Sequence, residues 1–428
     1  MASKYNPFRP NSPVYTGMFA GRIKEVGRID ELLYQAKLEN PSHMLIIGER
    51  GIGKSSLLLV ANHFSKGTLT WAENKHNFLT IQIALNSDIT IVDLARKISA
   101  GIARELDKSG PGLAYIKKIW DFIQKWEALG VKYKGGEKEP NAPEFVDNII
   151  YSLADTIKAI TKPNAISELG LRDQKDGIVL LIDEADNASK ELGLGSFLKT
   201  LTEVLVKEEC NKIMLILAGL PRLRDALRES HESSLRLFEE YELPPLSSDE
   251  VKHVINSGIA EYNKQATSDT QISINGDALE HIIFYSEGYP HFVQQIGASS
   301  FTVNTDNIIT LEDVKKGMFM RGGALDLIGA KYYKDLYYNR ISVDSYREIL
   351  KIMAQRWNDW ICKKDIAKQF KGKPTTLLNG LKALRDRNII LSKSGTRGLY
   401  RLQWKSFAFW IKTVTEQQDF ENSDSALK

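Results

Sequence analysis

Gly48-Glu49-Arg50-Gly51-Ile52-Gly53-Lys54-Ser55 spells G-x-x-x-x-G-K-[ST], the pattern of a loop that wraps a polyphosphate. Its flanks supply the required setting. The run before it, His43-Met44-Leu45-Ile46-Ile47, is short and apolar like a buried parallel strand, and Ser55 to Ser65 after it has the length and composition of a helix. Strand, glycine-rich turn and helix together aim backbone N–H groups and the positive end of a helix at phosphate, and Lys54 adds a mobile cation. In this reading Gly48, Glu49, Arg50, Gly51, Ile52, Gly53, Lys54, Ser55 and Ser56 line a nucleotide, and the Ser55 hydroxyl is a ligand for Mg2+.

A second stretch complements the first. Gly177-Ile178-Val179-Leu180-Leu181-Ile182-Asp183-Glu184-Ala185-Asp186 reads as a buried strand that ends in acids, the Walker B pattern. A continuous apolar strand puts Asp183 at its carboxyl end, within reach of the metal bound by Ser55, and Glu184 follows where it polarises an attacking water. The pair favours hydrolysis over phosphoryl transfer to a metabolite. The reading is therefore an ATPase that cycles between ATP and ADP with Mg2+ and turns over slowly, with Lys54, Asp183 and Glu184 as its catalytic groups.

Composition sets the limits. The chain has 428 residues, 43% hydrophobic and 26% charged, enough for two or three domains with a real core. Cys210 and Cys362 are far apart and form neither a disulfide framework nor a metal-ligand spacing, so a cytoplasmic location is expected. No run is long and apolar enough to suggest a membrane span, and the first residues have no hydrophobic signal region. The net charge of +3 is unevenly spread. Between Cys362 and Lys412 nine Lys and four Arg face two Asp and no Glu, a net +11 that leaves −8 over the rest. A basic block on an acidic body points to a polyanion partner for that block.

Met1 to Met18 reads as an extended arm, followed by Phe19-Ala20-Gly21-Arg22 and a helical stretch over Val26 to Glu39. Phe78 to Ile83 is a second strand, and Thr90 with Asp93 starts a helix that runs to Leu106. Asp107 to Leu171 is read as a helical insertion with a solvated surface. Its helices are Ala114 to Leu129 and Glu144 to Ile160, joined by the loop Gly130 to Pro143. Ile213 to Leu217 is a further strand running into Ala218-Gly219-Leu220-Pro221-Arg222, and Ser247 caps the first helix of a helical lid. In the lid, Tyr289-Pro290-His291 interrupts a helical pattern, and Thr310 opens another helix that ends near Gly322. Three helices, Ser342 to Trp357, Lys363 to Phe370 and Thr375 to Arg387, precede a hairpin around Ser392 to Gly398, the arrangement of a winged helix. Lys382, Arg385 and Arg387 on the third helix and Lys393 and Arg397 at the hairpin are its candidate DNA contacts. The expected divisions are an arm at 1–18, an ATPase core at 19–246, a lid at 247–322, a winged helix at 323–415 and a tail at 416–428.

The order of these motifs resembles the bacterial and archaeal Orc/Cdc-like and STAND-type P-loop ATPases of the AAA+ superfamily. The resemblance implies an α/β core with a parallel sheet in strand order 5-1-4-3-2 flanked by helices, a helical lid and a C-terminal winged helix. It also implies that Phe19, Gly21 and Arg22 help hold the adenine. Arg236 is either an arginine finger acting on a second copy or a surface arginine. Pro290 and His291 either reach the nucleotide or mark a helix boundary. Such proteins usually carry a polar sensor where this chain has Ala218 and Gly219, so detection of the γ-phosphate is expected to come from elsewhere. Two functions follow. In one, nucleotide state controls binding of double-stranded DNA, or assembly into a homo-oligomer, through the winged helix. In the other, a STAND-like signalling ATPase, for example in antiviral defence, uses the winged helix as an autoinhibitory lock or to meet an effector protein. No membrane partner is expected.

Overall fold

The computed structural model describes residues 5–14, 17–71, 73–106, 142–164, 173–357, 359–393, 395–396 and 398–426. The expected helix Ala114 to Leu129, most of the loop after it, and Arg397 lie outside these residues. The chain packs into two units, 21–244 with 13–15, and 245–428 with 1–12 and 16–20.

In the first unit α1 (Ile23–Lys37) precedes β1 (His43–Ile47), the P-loop and α2 (Lys54–Ser65). β2 (Leu79–Ala84), α3 (Ile91–Glu105), α4 (Ala142–Ile160), β3 (Ile178–Asp183), α5 (Leu194–Lys207), β4 (Ile213–Gly219), α6 (Leu223–Ser230) and β5 (Phe238–Glu242) follow. The five strands form one sheet in the order β2-β3-β4-β1-β5, all parallel, with Leu79 opposite Ile178, Met44 opposite Ile216 and His43 opposite Phe238. This is the order that the resemblance implies.

The central strands β1, β3 and β4 are almost entirely apolar because both of their faces are covered. One face carries a core of Leu45, Ile81, Leu180 and Leu215 with Ile98 of α3, Leu153 of α4 and Leu201 of α5. α1 and α2 pack on β3 and β4 through residues such as Leu33 and Leu58. α4 therefore corrects one expectation: its Ile150, Leu153 and Ile157 are buried in this core and do not lie on a solvated insertion. β5 is an edge strand, and its Glu239 pairs with Arg28 while Glu240 and Glu242 pair with Arg224.

The second unit contains α7 (Ser248–Asn263), β6 (Ser273–Ile274), α8 (Gly276–Ser286), α9 (Pro290–Val303), β7 (Ile308–Ile309), α10 (Leu311–Phe319) and α11 (Ala324–Ile328). Two π-helical turns at Gly329–Tyr333 and Leu336–Arg340 then lead to α12 (Asp344–Ala354), β8 (Ile361–Cys362), α13 (Lys363–Gln369), α14 (Pro374–Asp386), β9 (Ile390–Ser392), β10 (Leu399–Leu402) and α15 (Lys405–Ala426). Three helices and the antiparallel sheet β8-β10-β9 make the winged helix. α15 continues to Ala426, past the point where the sequence suggests a tail.

Local capping follows the sequence closely. Thr90 with Asp93, Ser247 with Glu250 and Thr310 with Asp313 each form a reciprocal capping box, as at Thr310, whose N–H donates to Asp313 at 2.9 Å.

His43 couples the sheet to pH. It starts β1, fully covered, with Nδ1 accepting the Leu215 N–H at 3.3 Å. Burial pushes its pKa down to about 4. The unfolded chain holds a proton on this ring up to about 6.5 and the folded chain does not, so stability is complete above that pH and falls as pH drops toward 4. The loss across that window is about 3 kcal/mol. Thermal unfolding between pH 4 and 7 should show a shallower pH slope in His43→Gln than in the wild type, and equal slopes would remove His43 as the cause.

Candidate functional site

The site lies at the carboxyl edge of the sheet. β1 and β3 are separated by β4, and the loops leaving them face one another across it. The P-loop turns through Gly51 at φ +78° and Gly53 at φ +101°, values that only glycine adopts without strain, and α2 begins directly at Lys54. The first N–H groups of α2 therefore have no partner in their own helix and face the loop mouth. Lys54 Nζ donates to the carbonyls of Gly48 at 2.7 Å and Glu49 at 2.9 Å. Burial lowers the Lys54 pKa, against the opposing pull of Asp183, Asp186 and Glu49, and burial raises that of Glu49.

Ser55 and Asp183 meet directly. The Ser55 hydroxyl donates to Asp183 Oδ2 at 2.6 Å, and Asp183 Oδ1 accepts the Glu184 N–H at 2.8 Å, so both oxygens of this carboxylate are held. Two hard oxygens, Ser55 Oγ and Asp183 Oδ2, thus sit side by side beside the phosphate loop, a donor set that suits Mg2+, which takes its remaining ligands from water and phosphate. Glu184 follows in the left-handed region at φ +52°, with an exposed side chain. A non-glycine residue in this conformation costs on the order of 1 kcal/mol. Asn187 Nδ2 donates to Glu184 Oε2 at 3.4 Å.

The other expected residues are distributed as follows. Arg22, buried and at φ +61°, donates from Nη2 to the carbonyls of Ile52 at 3.2 Å and Pro244 at 2.5 Å, so it braces the P-loop backbone beside Gly21. Ser56 Oγ accepts the Val14 N–H at 3.2 Å, which brings part of the N-terminal arm to the start of α2. Phe19 belongs to the second unit. Arg236 is exposed just before β5 and lines a cleft with Pro41, Ser42 and His43. Since His43 opens β1 and pairs with Phe238, that cleft is at the amino edge of the sheet, opposite the P-loop. The fold does not bring Arg236 to the P-loop of its own chain.

In the second unit Pro290 is the first residue of α9, and His291 packs against Tyr332 with ring centroids 5.1 Å apart. Burial, helped by Lys331, pushes the His291 pKa down to about 4. On α14, Lys382 and Arg385 are exposed one turn apart, opposite the buried face of Leu377, Leu381 and Leu384. Arg385 pairs with Asp386 at 3.0 Å, and Arg387 donates to the Arg340 carbonyl at 3.0 Å. Lys393 is exposed after β9, and Lys371 and Lys373 are exposed ahead of α14, two cations that attention to the helix alone passes over.

One group of residues at the site was not read from the sequence. Asp186, its side chain 5% exposed, accepts the Leu220 N–H at 3.0 Å and the Arg222 Nε–H at 2.9 Å, and Arg222 Nη2 donates to Asn187 Oδ1 at 2.9 Å. The signal was present as the second acid of the D-E-A-D run and the Arg of A-G-L-P-R, but only the fold brings them together.

Residues 37–227 match the family model of the AAA domain. An uncharacterized HTH-type transcriptional regulator of Methanocaldococcus jannaschii is 25% identical over 323 residues, which cover 73% of this chain and 70% of that protein. Among solved structures, a Walker-type ATPase of Pyrococcus abyssi superposes with a TM-score of 0.57 at 17% identity, over 94% of this chain and 99% of that one. The ORC2 protein of Aeropyrum pernix, in ADPNP and ADP complexes, gives 0.56 at 13% identity, over 97% of this chain and 98% of that one. Identities this low speak for the fold alone. Residues 37–227, in which a P-loop and an acidic strand end face each other, are similar to the AAA domain, and the chain has the fold of the Walker-type ATPase and of the ORC2 protein.

Proposed function

We propose that the chain is a slow, ATP-driven switch that binds duplex DNA through its winged helix. The Ser55–Asp183–Glu184 arrangement carries the catalytic part of this reading. Lys54 and the P-loop amides hold the β- and γ-phosphates, while Ser55 and Asp183 hold Mg2+, which when bound neutralises charge developing between those phosphates. Glu184 orients a water and takes its proton. Arg236, at the far edge of the sheet, serves the site of a second copy, and Pro290 and His291 mark a helix boundary first and a nucleotide contact second.

The DNA part rests on the exposed basic face of α14 and its flanks, Lys371, Lys373, Lys382, Arg385 and Lys393, and on the HTH-type regulator among the relatives. Such charges contact phosphates and hold the helix in register in the major groove. A second reading, in which the winged helix meets protein, draws support from Arg385 and Arg387, whose charges are already engaged by Asp386 and by the Arg340 carbonyl.

Lys54→Ala should lose most ATP affinity in calorimetry while melting like the wild type; unchanged affinity would remove Lys54 from the phosphate site. Glu184→Gln should keep that affinity and hydrolyse ATP at least about tenfold more slowly, a floor for loss of a general base.

For DNA, Lys382→Ala combined with Arg385→Ala should weaken duplex binding without regard to sequence and flatten the salt dependence by about two units of slope, one per phosphate contact. Absence of any DNA affinity at low salt, with ATP or with ADP, would favour the protein-contact reading.

A further inference from the structure

We propose that Asn187 and Arg222, anchored by Asp186, form a relay that positions the Glu184 carboxylate for hydrolysis. The proposal rests on the reading of Glu184 as the group that activates water. Glu184 needs outside support. Its side chain is exposed, and it sits in a left-handed turn just past the end of the strand that carries Asp183. A free glutamate in such a place samples many rotamers, whereas catalysis needs one.

The relay supplies that restraint one bond at a time. Asp186 is the fixed end: it is nearly covered, and its carboxylate is pinned by the Leu220 N–H, a backbone donor that cannot swing away. Arg222 is held to Asp186 through Nε and Nη2, at 2.9 Å in each case, which orients its planar guanidinium. The same Nη2 faces Asn187 Oδ1 at 2.9 Å. Since Arg carries donors only, the Asn187 oxygen must face Arg222, and its amide nitrogen is left facing Glu184 Oε2 at 3.4 Å. The orientation of the Asn187 amide thus follows from the chemistry of its neighbours. The relay ends on a donor, the group that holds an ionised carboxylate in place.

The relay also accounts for the bare end of β4. A Cβ at Gly219 would lie 3.0 Å from Asp186 Oδ1 and 3.1 Å from the Asp186 nitrogen. A side chain there would press on Leu223, whose Cδ2 lies at 2.7 Å, and crowd the anchor of the relay.

The test is single-turnover ATP hydrolysis with ATP affinity and thermal midpoint measured on each variant. Asn187→Ala and Arg222→Ala should each lower the hydrolysis rate about tenfold with ATP affinity within twofold of wild type, the cost of a loosely placed catalytic group. Combined they should cost no more than either alone, and neither should slow Glu184→Gln further. Asn187→Asp separates positioning from mere packing. It keeps the size and gives Arg222 a stronger partner, so a structural role predicts full activity, but it turns an acceptor toward Glu184, and the relay predicts a loss at least as large as in Asn187→Ala. Full activity in Asn187→Asp, or additive losses on the Glu184→Gln background, would overturn the relay. If Glu184→Gln itself hydrolyses ATP normally, the assignment of Glu184 fails and the relay with it; if Glu184→Gln is inactive while Asn187→Ala and Arg222→Ala keep the wild-type rate, the relay alone fails.

Discussion

Everything at the site depends on one topological constraint, the insertion of β4 between β1 and β3. Neighbouring strands lie about 4.8 Å apart, so the ends of β1 and β3 are separated by roughly 10 Å, a gap that two side chains close from opposite sides. Ser55 reaches in from the start of α2 and Asp183 from the end of β3, and they meet at 2.6 Å. The parallel direction matters equally, because it brings every strand's carboxyl end, and hence every functional loop, to one edge.

The parts of this design written in local sequence were legible before the fold was known. The P-loop has a fixed spacing because its glycines must take positive φ, and the capping boxes have a fixed spacing because one helical turn separates the reciprocating groups. β1, β3 and β4 were legible because a strand buried on both faces has no alternation to obscure it. What escaped was non-local. α4 mixes Ile150, Leu153 and Ile157 with Tyr151, Asp155 and Lys158, a pattern that fits a surface helix as well as a core one, and only its packing on α5 within the shared core decides. Asp186 and Arg222 are far apart in sequence and come from two different strand ends. The π-helical turns at Gly329–Tyr333 and Leu336–Arg340 have no periodicity of their own to read.

In the second unit, the lid and the winged helix are less separable than the sequence suggests. Glu287 ends α8 at φ +50°, and its carboxylate accepts the Lys405 N–H at 2.7 Å, at the very start of α15. An acid is well placed there, since the helix start is positive, but burial still pushes its pKa up to about 7. Tyr285 and Phe319 of the lid add edge-on ring contacts with Phe409 at 5.8 Å and 5.9 Å, and Tyr289 meets Trp404 at 6.3 Å. α15 also packs against α12 of the winged helix.

For the proposed switch the consequence is mechanical. A single long helix whose first turn is capped by the lid and whose flank packs on the winged helix transmits rotation, because bending it between those two contacts would break backbone hydrogen bonds. Relative motion of lid and wing would also have to uncap Lys405 and open the contacts of Tyr285 and Phe319 with Phe409, exposing large apolar rings to water at about 25 cal/mol for each Å2. The lower-cost motion keeps 245–428 together. If nucleotide state moves the lid, the basic face of α14 moves with it as part of one body, so the chain needs no separate hinge between lid and wing to couple phosphate chemistry to whatever that face binds.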